Sequence, residues 1–177
     1  MEADQDFIER YLDIYSDTSG VSPEKVRNWG ETLRNQGYLT RKQLYDIAYE
    51  SSTRSAYHVK KNPEELCREV TSQLLGIDGD FASIAVVSAL KGFQAPTASC
   101  VLAAENPERH AIVDTRVWAS LERLGRFEER KESFDAFDYV RMIEEIREIS
   151  EDTDFSPEEV GYALFAHDVE RREGTLH

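Results

Sequence analysis

Two apolar runs, 81–90 and 96–104, are separated only by Lys91-Gly92-Phe93-Gln94-Ala95. So short a link, with a glycine in it, folds two helical runs back on each other as a hairpin, the helical counterpart of a β-hairpin. Gly92 suits a tight turn. Pro96 fits the first turn of the second helix, where its missing N–H leaves no bond unmade. Ala98 lacks bulk, so the two helix backbones can approach closely. Beyond this unit, Glu105 to His110 is a polar link. It leads into Ile112-Val113-Asp114-Thr115-Arg116, where Asp114 is placed as the N-cap of a further helix.

The remaining chain has the same helical grammar. Ile8, Tyr11, Leu12 and Tyr15 fall at i, i+3, i+4 and i+7, one helical face. Ser22-Pro23-Glu24, Asn62-Pro63-Glu64 and Ser156-Pro157-Glu158 are helix starts, each with a polar cap before proline. Behind them lie Val26, Trp29 and Leu33; Leu66, Val70 and Leu74; and Val160, Ala163 and Leu164. Gly37 ends the first of these helices, and Thr40 caps another that turns Leu44, Ile47 and Ala48 inward. The segment 133–149 predicts a long amphipathic helix with Tyr139, Met142, Ile143, Ile146 and Ile149 as its stripe, and the last helix is expected to fray around Gly174. No alternating strand pattern of useful length occurs. The expected fold is all-α, one compact helical bundle over residues 1–177.

The residues Leu90-Lys91-Gly92-Phe93-Gln94-Ala95-Pro96-Thr97-Ala98, followed by Val113-Asp114-Thr115, resemble the helix-hairpin-helix superfamily of DNA glycosylases. That family has an apolar-Gly-apolar-Gly hairpin, a Thr-Ala pair opening the second helix, and an aspartate in a Val-Asp-Thr-like segment downstream. The likeness covers about 35 residues. It implies a two-lobed fold, with 20–113 as a central lobe and 1–19 plus 115–177 as the other. It implies double-stranded DNA as partner, Asp114 as catalytic residue, and a phosphate-binding hairpin formed by Lys91, Gly92, Phe93, Gln94, Ala95 and Thr97.

Two departures narrow what the resemblance implies. Bifunctional members carry a lysine nucleophile where this chain has Pro96, and proline cannot form a Schiff base. Any activity is therefore monofunctional base release. Gln94 replaces the family's second glycine, which puts a monovalent-ion site at the hairpin in question. Cys67 and Cys100 are the only cysteines, too few for a four-cysteine iron–sulfur cluster, and both sit in apolar patterns as buried thiols. His110 and His167 lack partners at metal-ligand spacing, so no metal site is expected.

Charge qualifies the DNA reading. The chain carries 35 acids against 21 bases, a net −14, which argues against a polyanionic partner at low salt. Only 6 of the 21 bases are Lys, and an acidic, lysine-poor composition suggests a salt-rich cytoplasm, as in halophilic archaea. At about 1 M salt the screening length is about 3 Å, so local charge outweighs the total. Residues 32–104 carry seven acids and eight bases, and 81–104 carry no acid at all. The run 81–90 itself reads as a buried helix, whereas the hairpin is expected at the surface. The cluster Arg123, Arg126, Arg130 and Lys131 alternates with acids as a solvated helix face. Trp29, Tyr45, Tyr57, His58 and Trp118 are candidates for a base pocket or wedge.

Three readings stay open: a compact glycosylase, a hairpin module that binds DNA without catalysis, and a helical protein-interaction domain. In the second, Asp114 serves only as a cap. No apolar run reaches the length of a membrane span, and the N-terminal residues lack a signal-like pattern, so a cytoplasmic protein without a membrane partner is expected.

Overall fold

The computed structural model describes residues 2–173, and within them the chain forms ten helices and no strand. In chain order these are α1 Gln5–Tyr15, α2 Pro23–Gln36, α3 Arg41–Ser51, α4 Thr53–Val59 and α5 Glu64–Leu74. There follow α6 Asp80–Ser88, α7 Ala95–Glu105, α8 Thr115–Arg123, α9 Ala136–Glu151 and α10 Pro157–Glu173. Gly174 lies outside the described residues. No helix among those described is long and apolar enough to cross a membrane.

Most boundaries follow from local chemistry. Ser22 accepts the Lys25 amide, with Pro23 in the first turn of α2. Gly37, left-handed at φ +80°, closes α2 by donating to the Leu33 carbonyl. Thr40 and Gln43 form a reciprocal capping box at α3. The start of α9 lies beyond Ser133: Asp135 and Asp138 make the box there, and the helix begins at Ala136. Asn62 does not cap α5. Pro63 occupies that place, and the Asn62 side chain is used elsewhere. Helix α4 was not expected; Ser52, extended at φ −159° and ψ 110°, breaks it from α3.

Helix α7 is the core of the molecule. Ala95 and every residue from Thr97 to Ala104 are buried. A helix apolar on all sides must be covered on all sides, and α2, α3, α6 and α9 cover it. The contact with α2 is close. A Cβ added to Gly30 would stand 2.2 Å from the Ala104 carbonyl oxygen, so only glycine fits there. A second set of contacts centres on α10, which packs on α1, α8 and α9. One continuous apolar cluster runs through both sets. Helix α6 is less buried than its sequence suggests: Ser83, Ile84 and Val87 face in, but Phe81 is 45% exposed and meets the exposed Phe137 ring at 4.8 Å between centroids.

Candidate functional site

The connection between α6 and α7 is braced from outside the two helices. Asn62 clamps Lys91, accepting its amide at 2.9 Å and donating to its carbonyl at 2.9 Å. Gly92 is left-handed at φ +89°, and a Cβ there would meet Val59 at 2.7 Å and the Ser55 carbonyl at 2.9 Å. Conformation and close approach to α4 both require glycine at this position. Phe93 and Ala95 are buried, while Lys91 and Gln94 are exposed. The connection is thus half-embedded and not fully at the surface.

Its amides divide accordingly. Lys91 donates to Asn62 and Phe93 donates to the Leu90 carbonyl. The amides of Gly92, Gln94, Ala95 and Thr97 have no protein acceptor among the described residues, and no side chain caps α7. The Thr97 hydroxyl is not available to a ligand. That hydroxyl is buried and bonded to Ser51 Oγ at 3.2 Å, tying α3 to α7.

Asp114 is the N-cap of α8. One carboxylate oxygen, Oδ1, accepts the amides of Arg116 and Val117, each at 2.9 Å. The other oxygen, Oδ2, has no protein donor among the described residues. Burial pushes this carboxyl above the ordinary aspartate range, against the pull of the two amide bonds and of Arg116. An N-cap with one oxygen left over is still able to act on something else.

These pieces meet at one cleft of about 340 Å³. Asp114 lines it together with Gln94, Pro96 and Thr97 at the start of α7. The walls are completed by Ser19 to Val21, by Glu50, Ser51, Ser52 and Ser55 around the α3–α4 break, and by Phe165 of α10. Glu50 is ion-paired through Oε1 to Lys25 of α2. No Lys, Arg or His side chain lines the cleft.

Beside the cleft, the chain presents a basic surface. From 51 to 63 there is no acid, and Arg54, Lys60 and Lys61 on and just after α4 are exposed. Lys60 lies over the Tyr45 ring at 4.6 Å and Lys61 over Tyr57 at 5.2 Å. Because Gly92 packs directly on α4, Lys91 extends this surface. Lys91 makes no ion pair among the described residues.

Several residues singled out in the sequence lie elsewhere. None of Trp29, Tyr45, Tyr57, His58 and Trp118 lines the cleft. Trp118 is buried between Phe127 and Phe134, and the aromatic group at the cleft is Phe165. Arg123, Arg126 and Lys131 are not a solvated helix face. Arg123 reaches the buried Asp168, Arg126 bonds Glu145 and Glu148, and Lys131 bonds Asp138. His110 and His167 are buried partners of Tyr139 and Ser120. Cys67 and Cys100 are free and buried, and burial pushes the Cys100 thiol up to about 12. No group of three metal-ligating side chains occurs among the described residues. Glu50 was not anticipated, although its signal was visible as one of only two acids in the otherwise basic stretch 32–63. No protein-family model, curated protein or solved structure matches this chain.

Proposed function

We propose that this chain is a DNA glycosylase-like protein of base excision repair, releasing a base without cutting the strand. The observation that carries this reading is the cleft that joins the half-bonded carboxylate of Asp114 to the uncapped start of α7. In this reading the connection and α7 form the family's helix-hairpin-helix. Amides at a helix N-terminus attract phosphate, and such a contact sets the register of DNA without reading its sequence. Lys91 and the basic α4 surface add charge where a phosphate backbone would run. The target nucleotide is turned out of the duplex into the cleft.

The chemistry then falls to Asp114. The C1′–N glycosidic bond breaks, its electron pair leaves with the base, and positive charge develops on the sugar. The unbonded oxygen of Asp114 stabilises that charge and orients the water that adds to C1′, and the proton this water gives up passes to the departed base. The two amides on its other oxygen fix the carboxylate before the reaction begins. Pro96 supplies no amine, so no Schiff base and no lyase step follows. The two sets of helix contacts, around α7 and around α10, supply the two lobes of this reading. The acidic total charge suits a salt-rich cytoplasm, where distant carboxylates repel DNA little.

The α4 surface and the free amides also fit a second reading, a DNA-binding module in which Asp114 only caps. Base release from a panel of damaged duplexes in concentrated KCl, beside Asp114→Asn, separates the two. Abasic sites that break only on added alkali, and that disappear in the variant, support the enzyme. Strand breaks without alkali contradict the Pro96 argument. Salt-sensitive binding without release leaves the binding module.

A further inference from the structure

Three aromatic residues that the cleft does not use, Tyr45, Tyr57 and His58, stand together on the surface of α3 and α4. Contacts link them in series with Tyr49 and two lysines. The Tyr49 and Tyr45 rings lie 6.1 Å apart, and the Lys60 ammonium sits over Tyr45 at 4.6 Å. Its neighbour Lys61 sits over Tyr57 at 5.2 Å, and Tyr57 meets His58 at 5.8 Å. Tyr49 is 53% exposed and Tyr57 is 64% exposed. A ring exposed singly is ordinary, whereas a contiguous row of them marks an interaction surface.

The free charge beside this row has one sign. Its two acids are already paired, Asp46 with Lys42 and Glu50 with Lys25. Arg54, Lys60, Lys61 and Lys91 form no ion pair among the described residues. In a chain of net charge −14, a polyanion meets the least repulsion here. Duplex DNA would engage the cations but not the rings, because its base faces are covered by their own stack. An acidic peptide likewise offers carboxylates without a series of flat faces. An unpaired strand offers both, phosphates for the cations and open bases that stack on aromatic side chains. We propose that the α3–α4 surface binds an unpaired nucleic-acid strand, with Tyr49 and Tyr57 stacking bases and Arg54, Lys60 and Lys61 holding phosphates. This function goes beyond base release, requires no reaction and makes no use of Asp114.

The test measures fluorescence anisotropy of labelled strands of about 12 nucleotides, a length within the range of single-strand sites. The probes are oligo(dT), oligo(rU), an abasic strand with the same phosphates, and a blunt duplex of the same length. The tighter of oligo(dT) and oligo(rU) should exceed both the abasic strand and the duplex by at least about tenfold. Tyr49→Ala and Tyr57→Ala should each weaken that binding by about tenfold and leave abasic-strand binding unchanged. Both rings are exposed, and thermal unfolding confirms that the variants are folded. Lys60→Gln and Lys61→Gln should each lower the slope of log binding constant against log salt by about 0.7 in magnitude. Equal binding of the abasic strand or the duplex, no binding at all, or tyrosine variants without effect overturns the proposal. A salt slope unchanged in both lysine variants removes the phosphates from the contact and overturns it too. Displacement of the strand by polyglutamate as readily as by unlabelled strand reassigns the surface to an acidic protein partner. Each of these results leaves base release from duplex DNA to stand or fall on its own assay.

Discussion

Two aspartates hold helix α8, one at its N-terminus and one across its seam with α10, and the two are held in opposite ways. At its N-terminus, Asp114 accepts two backbone amides through one oxygen, leaves the other without a protein donor among the described residues, and lines the cleft. Along its seam with α10, Asp168 is fully buried and bonded by Arg116, Arg123 and Arg172. The seam is closed further by Ser120 and His167, 2.6 Å apart. A carboxylate whose oxygens are both taken by cations has nothing left to offer a ligand. One that is fixed on one side and bare on the other is oriented and still available. The same residue type is cement in one place and a candidate reagent in the other, and the partners decide which.

The sharpest way to break this contrast is to remove each charge while keeping its shape. Asparagine caps a helix as well as aspartate does, and it buries no charge, so Asp114→Asn should hold or raise the urea midpoint at neutral pH. In the proposed reaction it should lower base release by about 10²–10³-fold, the scale of losing one preorganised electrostatic group. A loss of stability that accounts for the lost activity would reduce Asp114 to a cap. Asp168→Asn should do the reverse. It strands three guanidiniums, and removing one partner of a buried ion pair costs about 3–5 kcal/mol. The arginines are each about one-third exposed and can recover water, so about 3 kcal/mol is expected by urea unfolding. Base release per folded molecule should persist. A loss under about 1 kcal/mol would show that the arginines hold the seam without it.

How much of this was legible in the sequence depends on the reach of the interaction. Periodicity and caps are local, and they located α1, α2, α3, α7 and α8 closely because Ser22, Gly37, Thr40 and Asp114 act within a few residues of themselves. Helix α4 escaped because 53–59 shows no apolar period of useful length and its start has no capping side chain. Asn62 looked like a cap because it precedes proline, but its partner Lys91 lies 29 residues away. The cage around Asp168 joins residues up to 52 apart, and nothing local in Asp168 announces it. The cleft was half legible. Its connection and Asp114 were found through a motif, whereas Glu50, the serines and Phe165 come from other helices and meet only in three dimensions.

Acid should pull the two regions apart in sign. Burial lowers the His167 pKa from 6.5 to about 4. Below pH 6.5 the unfolded chain takes a proton that the folded chain refuses. Stability at the seam is therefore lost as pH falls from 6.5 toward about 4, by roughly 2–3 kcal/mol at the lower end. Asp114 behaves oppositely. Its folded pKa is raised, so the folded form binds the proton more readily than the unfolded one. The cost of burying its charge is present at neutral pH and relieved on acidification. Urea midpoints across this range should fall less steeply in His167→Gln and more steeply in Asp114→Asn. The activity of the proposed enzyme should show an acid limb above the ordinary aspartate midpoint, since only the ionised carboxylate stabilises the sugar cation. Slopes that respond to neither variant would assign the acid sensitivity to His110, whose pKa burial also lowers to about 4.

The smallest expected effect lies at the rim of the cleft. Lys91 is exposed, and Asn62 holds it through its backbone alone. Lys91→Gln therefore removes a charge without loosening the connection or touching the free amides at the start of α7. If that ammonium meets a phosphate, the slope of log binding constant against log salt should fall by about 0.9 in magnitude. Asp114→Asn, which removes no cation, should leave that slope unchanged while it removes base release. The two variants then separate holding DNA from acting on it. A Lys91→Gln slope equal to that of the parent protein would make Lys91 a solvated charge, leaving phosphate binding to the amides and to α4.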